Sequence, residues 1–194
     1  NHHRRRLTAR ALAWCAATLI ASPAHGEPLA FKGFALGGSR AEFLARFPDF
    51  RCTAHICSFS PGISCSGTTP AARDCVLRNT YGGIVPVSIT AIFHEELLDA
   101  VMVSYSPKHF EVLAEAATER FGPPKTTEEE RLRTQLGVEY LNITHTWAWT
   151  EGMLRVSRFG RTIDQGTVSI TSAAMFQRSL ERVRRSKERA PKDL

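Results

Sequence analysis

The sequence predicts an α+β fold: short helices packed on an antiparallel sheet, the sheet being a hairpin plus a three-stranded meander. Three observations carry this. Apolar and polar residues alternate in neighbouring stretches joined by tight polar turns, as antiparallel strands require. Other stretches repeat apolar residues every three or four positions between capping residues, as helices do. About 168 residues follow residue 26, which suits one domain with a core of its own.

Taken in order, Leu29 to Leu36 reads as a strand broken by Gly37-Gly38. Ser39 is then an N-cap, with Glu42 three residues on completing a capping box. Phe43, Leu44 and Phe47 form the apolar face of a short helix that stops near Pro48. Ile84 to Phe93 reads as a strand that Pro86 confines to an edge or to its own first residues. His94-Glu95-Glu96 is a polar turn, and Leu97 to Tyr105 returns antiparallel.

Ser106-Pro107 opens the clearest helix, with Phe110, Leu113, Ala114, Ala117 and Phe121 at helical spacing and Gly122 ending it. Thr126 to Leu136, with Glu128-Glu129-Glu130 ahead of Arg131 and Arg133, fits a short exposed helix or a loop. A meander follows over 143–150, 153–159 and 167–171, and a basic helix runs from Ala173 to about Arg189. The succession strand, Ser39, helix, Phe47-Pro48 recurs as strand, Ser106, helix, Phe121-Gly122-Pro123, a candidate two-fold internal repeat.

Residues 1–26 read as a secretory signal peptide. Arg4, Arg5, Arg6 and Arg10 make a positive head, Ala11 to Ala21 is uncharged and mostly apolar, and small residues follow. Cleavage after Ala24 or Gly26 fits the small-residue rule. The apolar run is shorter than the ~20 residues that span a bilayer, and no later stretch could be transmembrane. The expected location is therefore the periplasm or the secreted medium. Without residues 1–26 the chain keeps 21 basic and 19 acidic residues. The segment 178–194 holds seven basic and three acidic, so the body, 27–177, is slightly acidic. A nucleic-acid surface is therefore not expected. The basic tail could touch an anionic membrane peripherally.

Cys52, Cys57, Cys65 and Cys75 lie within 24 consecutive residues. In an exported chain an even set reads as a disulfide framework. Sequential and nested pairings both fit, and closing such short loops is worth roughly 2–3 kcal/mol each. No C-x-x-C pair supports zinc or redox chemistry.

The residues Gly38, Ser39, Glu42, Phe43, Phe47, Pro48 and Ser106, Phe121, Gly122, Pro123 carry a resemblance. A capped short helix followed by a meander resembles small exported proteins of the beta-lactamase-inhibitor-protein type, a fold shared by some outer-membrane assembly lipoproteins. The resemblance implies a binding or assembly role and assigns no functional residue. Trp14 before Cys15 departs from the lipid-attachment pattern of the lipoproteins.

No catalytic signature is complete. His94-Glu95 lacks a second histidine at residue 98, and Gly62 to Ser66 lacks the last glycine of a nucleophile elbow. No cofactor or metal motif is present, and no catalytic residue is nominated. Glu128-Glu129-Glu130 reads as a solvated face. His145, Trp147 and Trp149 share one strand face and are either core under a helix or an aromatic binding surface. The leading expectation is a non-catalytic interaction domain with a partner in the cell envelope. The alternatives are a small envelope hydrolase assembled from distant histidines and carboxylates, and a surface-associating protein that uses the basic tail.

Overall fold

The computed structural model describes residues 29–65, 69–134 and 136–189. The expected signal peptide, residues 1–26, lies outside them, as do 190–194 at the end of the basic tail. No helix among the described residues is long and apolar enough to cross a membrane.

The architecture is α+β. A two-stranded hairpin, β1 (Ala30–Phe31) and β2 (Phe34–Ala35), precedes α1 (Arg40–Arg46). Eight strands then form one antiparallel sheet: β3 (Arg51–Thr53), β4 (Ile56–Phe59), β5 (Ser88–His94), β6 (Leu97–Tyr105), β7 (Thr126–Arg133), β8 (Glu139–Ala148), β9 (Gly152–Ser157) and β10 (Gly166–Ser172). Their order is β3-β4-β5-β6-β10-β9-β8-β7. Four strands from each half thus run in sequence, and the halves meet where β6 pairs with β10 from Gly166↔Tyr105 to Thr171↔Ala100. Helices α2 (Pro61–Ser64) and α3 (Pro70–Arg78) lie between β4 and β5, α4 (Phe110–Phe121) between β6 and β7, and α5 (Ala173–Arg189) follows β10.

Alternation gives the sheet two faces, and one of them is buried. Ile89, Ala91, Phe93, Val101, Val103, Leu154, Val156, Val168 and Ile170 point to one side and are at most 4% exposed. The hairpin, α1, α3 and α4 cover this side. Under α1 the filling is aromatic. Phe43 meets Phe47 at 4.7 Å, Phe50 at 5.1 Å and Phe93 at 5.4 Å between ring centroids, the tilted and edge-on geometries rings prefer. The capping box forms as expected: Ser39 Oγ accepts from the Glu42 backbone, and the Glu42 carboxylate accepts from Ser39. Those hydrogen bonds hold the Glu42 carboxyl below its ordinary pKa.

Several elements differ from the sequence reading. Leu29 to Leu36 is not one strand, because Lys32 and Gly33 take positive φ and fold it into a hairpin. β5 is internal, not an edge, and starts at Ser88, so Pro86 precedes the ladder. Thr126 to Arg133 is the outer edge strand β7, neither helix nor loop. Its charged side chains suit an edge that must not pair further. Ser106 leads into a 3-10 turn, Pro107–His109, before α4, and makes no side-chain cap.

Candidate functional site

The sheet's second face is built from the polar phase of the same alternation. Following the registers across the sheet, Arg51, Ser58, Thr90, Met102, Ser169, Arg155, Thr146 and Thr126 form one continuous row over all eight strands. A second row runs Ser88, Ser104, Thr167, Ser157, Thr144 and Glu128. At the usual strand spacing eight strands span about 33 Å. These side chains are short, mostly hydroxyls, with one long aliphatic and one long cationic side chain near the middle. Met102 is 37% exposed. Arg155 reaches towards Glu128 at 3.7 Å, a loose ion pair between exposed groups that contributes little stability. Thr144 donates to Ser157 at 3.0 Å. A depression of about 320 Å³ lies over Met102, Arg155, Ser157, Thr167 and Ser169.

Among the described residues, α5 is the helix that crosses this face, at one end. It is pinned where the Asp99 carboxylate accepts from Ser172 Oγ and from the Arg178 guanidinium. Between α5 and β4–β6 a cleft of about 590 Å³ gathers His55, His94, Asp99, Arg178, Glu181 and Arg182. Both carboxylates there are held by arginines, Asp99 by Arg178 and Glu181 by Arg185 at 3.5 Å. Among the described residues neither histidine is hydrogen-bonded to a carboxylate by its side chain. His109 precedes α4 and His145 packs under it, so the four histidines do not converge.

The structure pairs Cys52 with Cys57 and Cys65 with Cys75, the sequential alternative. The first bridge joins directly opposed residues of β3 and β4 on the core side. The second ties the end of α2 to α3. All four sulfurs are thereby engaged, and among the described residues no group of three or more histidines, cysteines and acids could hold a metal ion.

His145, Trp147 and Trp149 lie under α4 on the core side. Trp147 is 2% exposed and its indole N–H donates to the Gly122 carbonyl at 2.8 Å. The His145 ring stacks on Phe110 at 5.5 Å, and Trp149 meets Phe121 edge-on at 5.3 Å. The stripe therefore takes the core alternative. A binding surface there would have to expose Trp147, and burying its large indole under α4 is the better use of that area. The face open to solvent is the opposite one, which the sequence reading did not nominate. Its signal was partial: β5, β8 and β10 place Ser88, Thr90, Thr144, Thr146, Thr167 and Ser169 at outward positions, where an ordinary solvated face carries long charged side chains.

Compared with protein-family models, with curated proteins and with solved structures, the chain matches none of them.

Proposed function

We propose that the chain is an exported, non-catalytic interaction domain of the cell envelope, and that it docks a folded partner protein on the open face of its eight-stranded sheet. The observation that carries the reading is the edge-to-edge row from Arg51 to Thr126. Short hydroxyl side chains lose little rotamer freedom when covered. Arg and Met, here Arg155 and Met102, are enriched where proteins meet. A face this wide can offer the roughly 800 Å² per partner that a stable complex needs. Export is supported by the arginine-headed apolar segment at 4–21 and by two disulfides, which persist in oxidising compartments. The resemblance of the capped-helix segments to inhibitor and assembly proteins points the same way.

The test is retention of envelope proteins by the immobilised chain, compared with three variants. Ser169→Arg and Arg155→Glu change the centre of the face, and Arg73→Glu changes the exposed surface of α3. A partner retained by the parent and by Arg73→Glu, and lost from both sheet-face variants at unchanged melting temperature, is the expected result. Equal retention by all four proteins would rule out this face as the docking surface.

A further inference from the structure

The sheet ends unevenly on its β8 side. β9 leaves β8 at the Thr144↔Ser157 pair, while β7 stays with β8 out to Arg133↔Glu139. The pairs from Glu129↔Ile143 outwards therefore form a two-stranded ribbon. The loop after β9 braces its base: the Arg158 N–H donates to the Ile143 carbonyl at 2.9 Å, and Phe159 meets Tyr140 edge-on at 5.8 Å. The turn that closes the ribbon pairs its own backbone groups. The Thr134 N–H donates to the Val138 carbonyl and the Gly137 N–H to the Thr134 carbonyl, both at 2.9 Å. The Val138 N–H donates to Thr134 Oγ1 at 3.1 Å.

The end of the ribbon is apolar and open to solvent. Leu136, in the turn, is 93% exposed, and Val138 and Leu141 are 50% and 42% exposed. Apolar groups occupy both faces of the ribbon: Leu141 lies in the phase of Ile143, and Leu132 faces Tyr140 in the other. Two arginines stand behind the turn against one acid. Glu139, directly opposite Arg133 in register, is drawn to Arg131 at 3.6 Å. Among the described residues no carboxylate lies within ion-pair distance of Arg133, whose guanidinium is 3.6 Å from where a Gly137 Cβ would stand. The acidic run, Glu128 to Glu130, begins three residues behind Arg133. That is about 10 Å along the strand, beyond the ~8 Å over which salt screens charge at physiological ionic strength.

We propose that this hairpin tip docks on an anionic lipid bilayer: Leu136 and Val138 enter the boundary between headgroups and acyl chains, and Arg131 and Arg133 meet the lipid phosphates. A flat protein surface could cover one face of the ribbon, whereas a bilayer surrounds whatever enters it and takes both. Insertion at an interface reaches roughly 5–10 Å, which leaves Glu128 to Glu130 in water. The turn's internally paired backbone suits surroundings that offer few hydrogen-bond partners. Arginine presents phosphate with a fork of donors. The basic helix α5 is less suited to the task, because Arg178, Arg184 and Arg185 each pair with a carboxylate. The tip lies outside the open sheet face, so its docking does not depend on what that face binds.

Leu136→Trp puts a fluorescent reporter at the apex, and the parent protein supplies the background of its own tryptophans. The purified variant is titrated with vesicles of equimolar phosphatidylcholine and phosphatidylglycerol, and with vesicles of phosphatidylcholine alone. The expected result is a saturable blue shift of the apex emission on the anionic vesicles, at several-fold lower lipid concentration than on the neutral ones. Adding Arg133→Glu weakens this binding by about tenfold or more. Adding Arg182→Glu, on α5, leaves it unchanged. All three positions are exposed, so the melting temperature stays that of the parent. The proposal is overturned by the absence of a shift, by equal binding to the neutral vesicles, by a shift that Arg133→Glu does not weaken, or by one that Arg182→Glu abolishes.

Discussion

Tyr105 is the residue on which the two halves of the sheet depend. It ends β6 directly opposite Gly166 of β10, and its hydroxyl donates to the Ser157 carbonyl of β9 at 2.8 Å. The ring crosses β10 because Gly166 has no side chain: a Cβ there would stand 2.5 Å from the ring and 2.7 Å from the Arg158 carbonyl. Gly166→Ala should therefore destabilise the fold by ~1–3 kcal/mol, as overpacking does. Denaturant titration would measure it. A second residue-scale expectation concerns alkaline pH. Burial pushes the Tyr81 hydroxyl up to about 12, with Arg120 opposing, and burial raises Tyr105 further. The unfolded chain then loses these protons first. Stability contributed by the neutral tyrosines is complete below the ordinary value of about 10, and falls at about 1.4 kcal/mol per pH unit per tyrosine above it. Lys32 works in the opposite direction at lower pH, since its depressed pKa favours the folded state as the solution approaches the lysine range. Tyr81→Phe should remove the step near pH 12 from a phenolate absorbance titration and flatten the alkaline loss.

At the scale of elements, α5 hangs on a small contact. Asp99 and Arg178 hold it to β6, while Phe176, Leu180 and Val183 on its far side are 38%, 49% and 54% exposed. Arg178→Ala leaves the nearly buried Asp99 without its cation, at a cost of ~1–3 kcal/mol. Hydrogen exchange should show α5 opening well before the sheet. The helix begins at Ala173, so a tail drawn from residue 178 cuts through it. Elements with their own local signals were legible in the sequence. α1 announced itself through Ser39 and Glu42, β6 through its apolar Leu98, Val101, Val103 and Tyr105, and α4 through Phe110, Leu113 and Ala117 between Pro107 and Gly122. β7 was not legible, because Thr126 to Arg133 has one half-buried residue, Leu132, and is a strand only by pairing with β8. The same holds for β3 and β4 inside the cysteine segment, where three- and four-residue strands carry too few positions to show a period.

For the molecule as a whole, alternation revealed that the sheet had two faces but not which one was covered. His145, Trp147 and Trp149 invited a surface reading because an aromatic row looks the same on either side; only the path of α4 across the sheet decides it. The hydroxyl row was hidden for a complementary reason. Its members come from eight strands scattered over Arg51 to Ser169, and no linear pattern joins them.

The junction of β6 with β10 also sets an order of events. Residues 97–105 wait for residues 166–172, so the sheet closes only after four intervening elements have been made. A chain that emerges from its N-terminus can complete β3–β6 and both disulfides while the β6 edge is still bare. An unpaired strand of nine residues is a template for unwanted pairing, and pairings between distant segments are slow to form. The most vulnerable moment in the life of this protein is thus the interval before β10 arrives, and Tyr105 closing over Gly166 ends it.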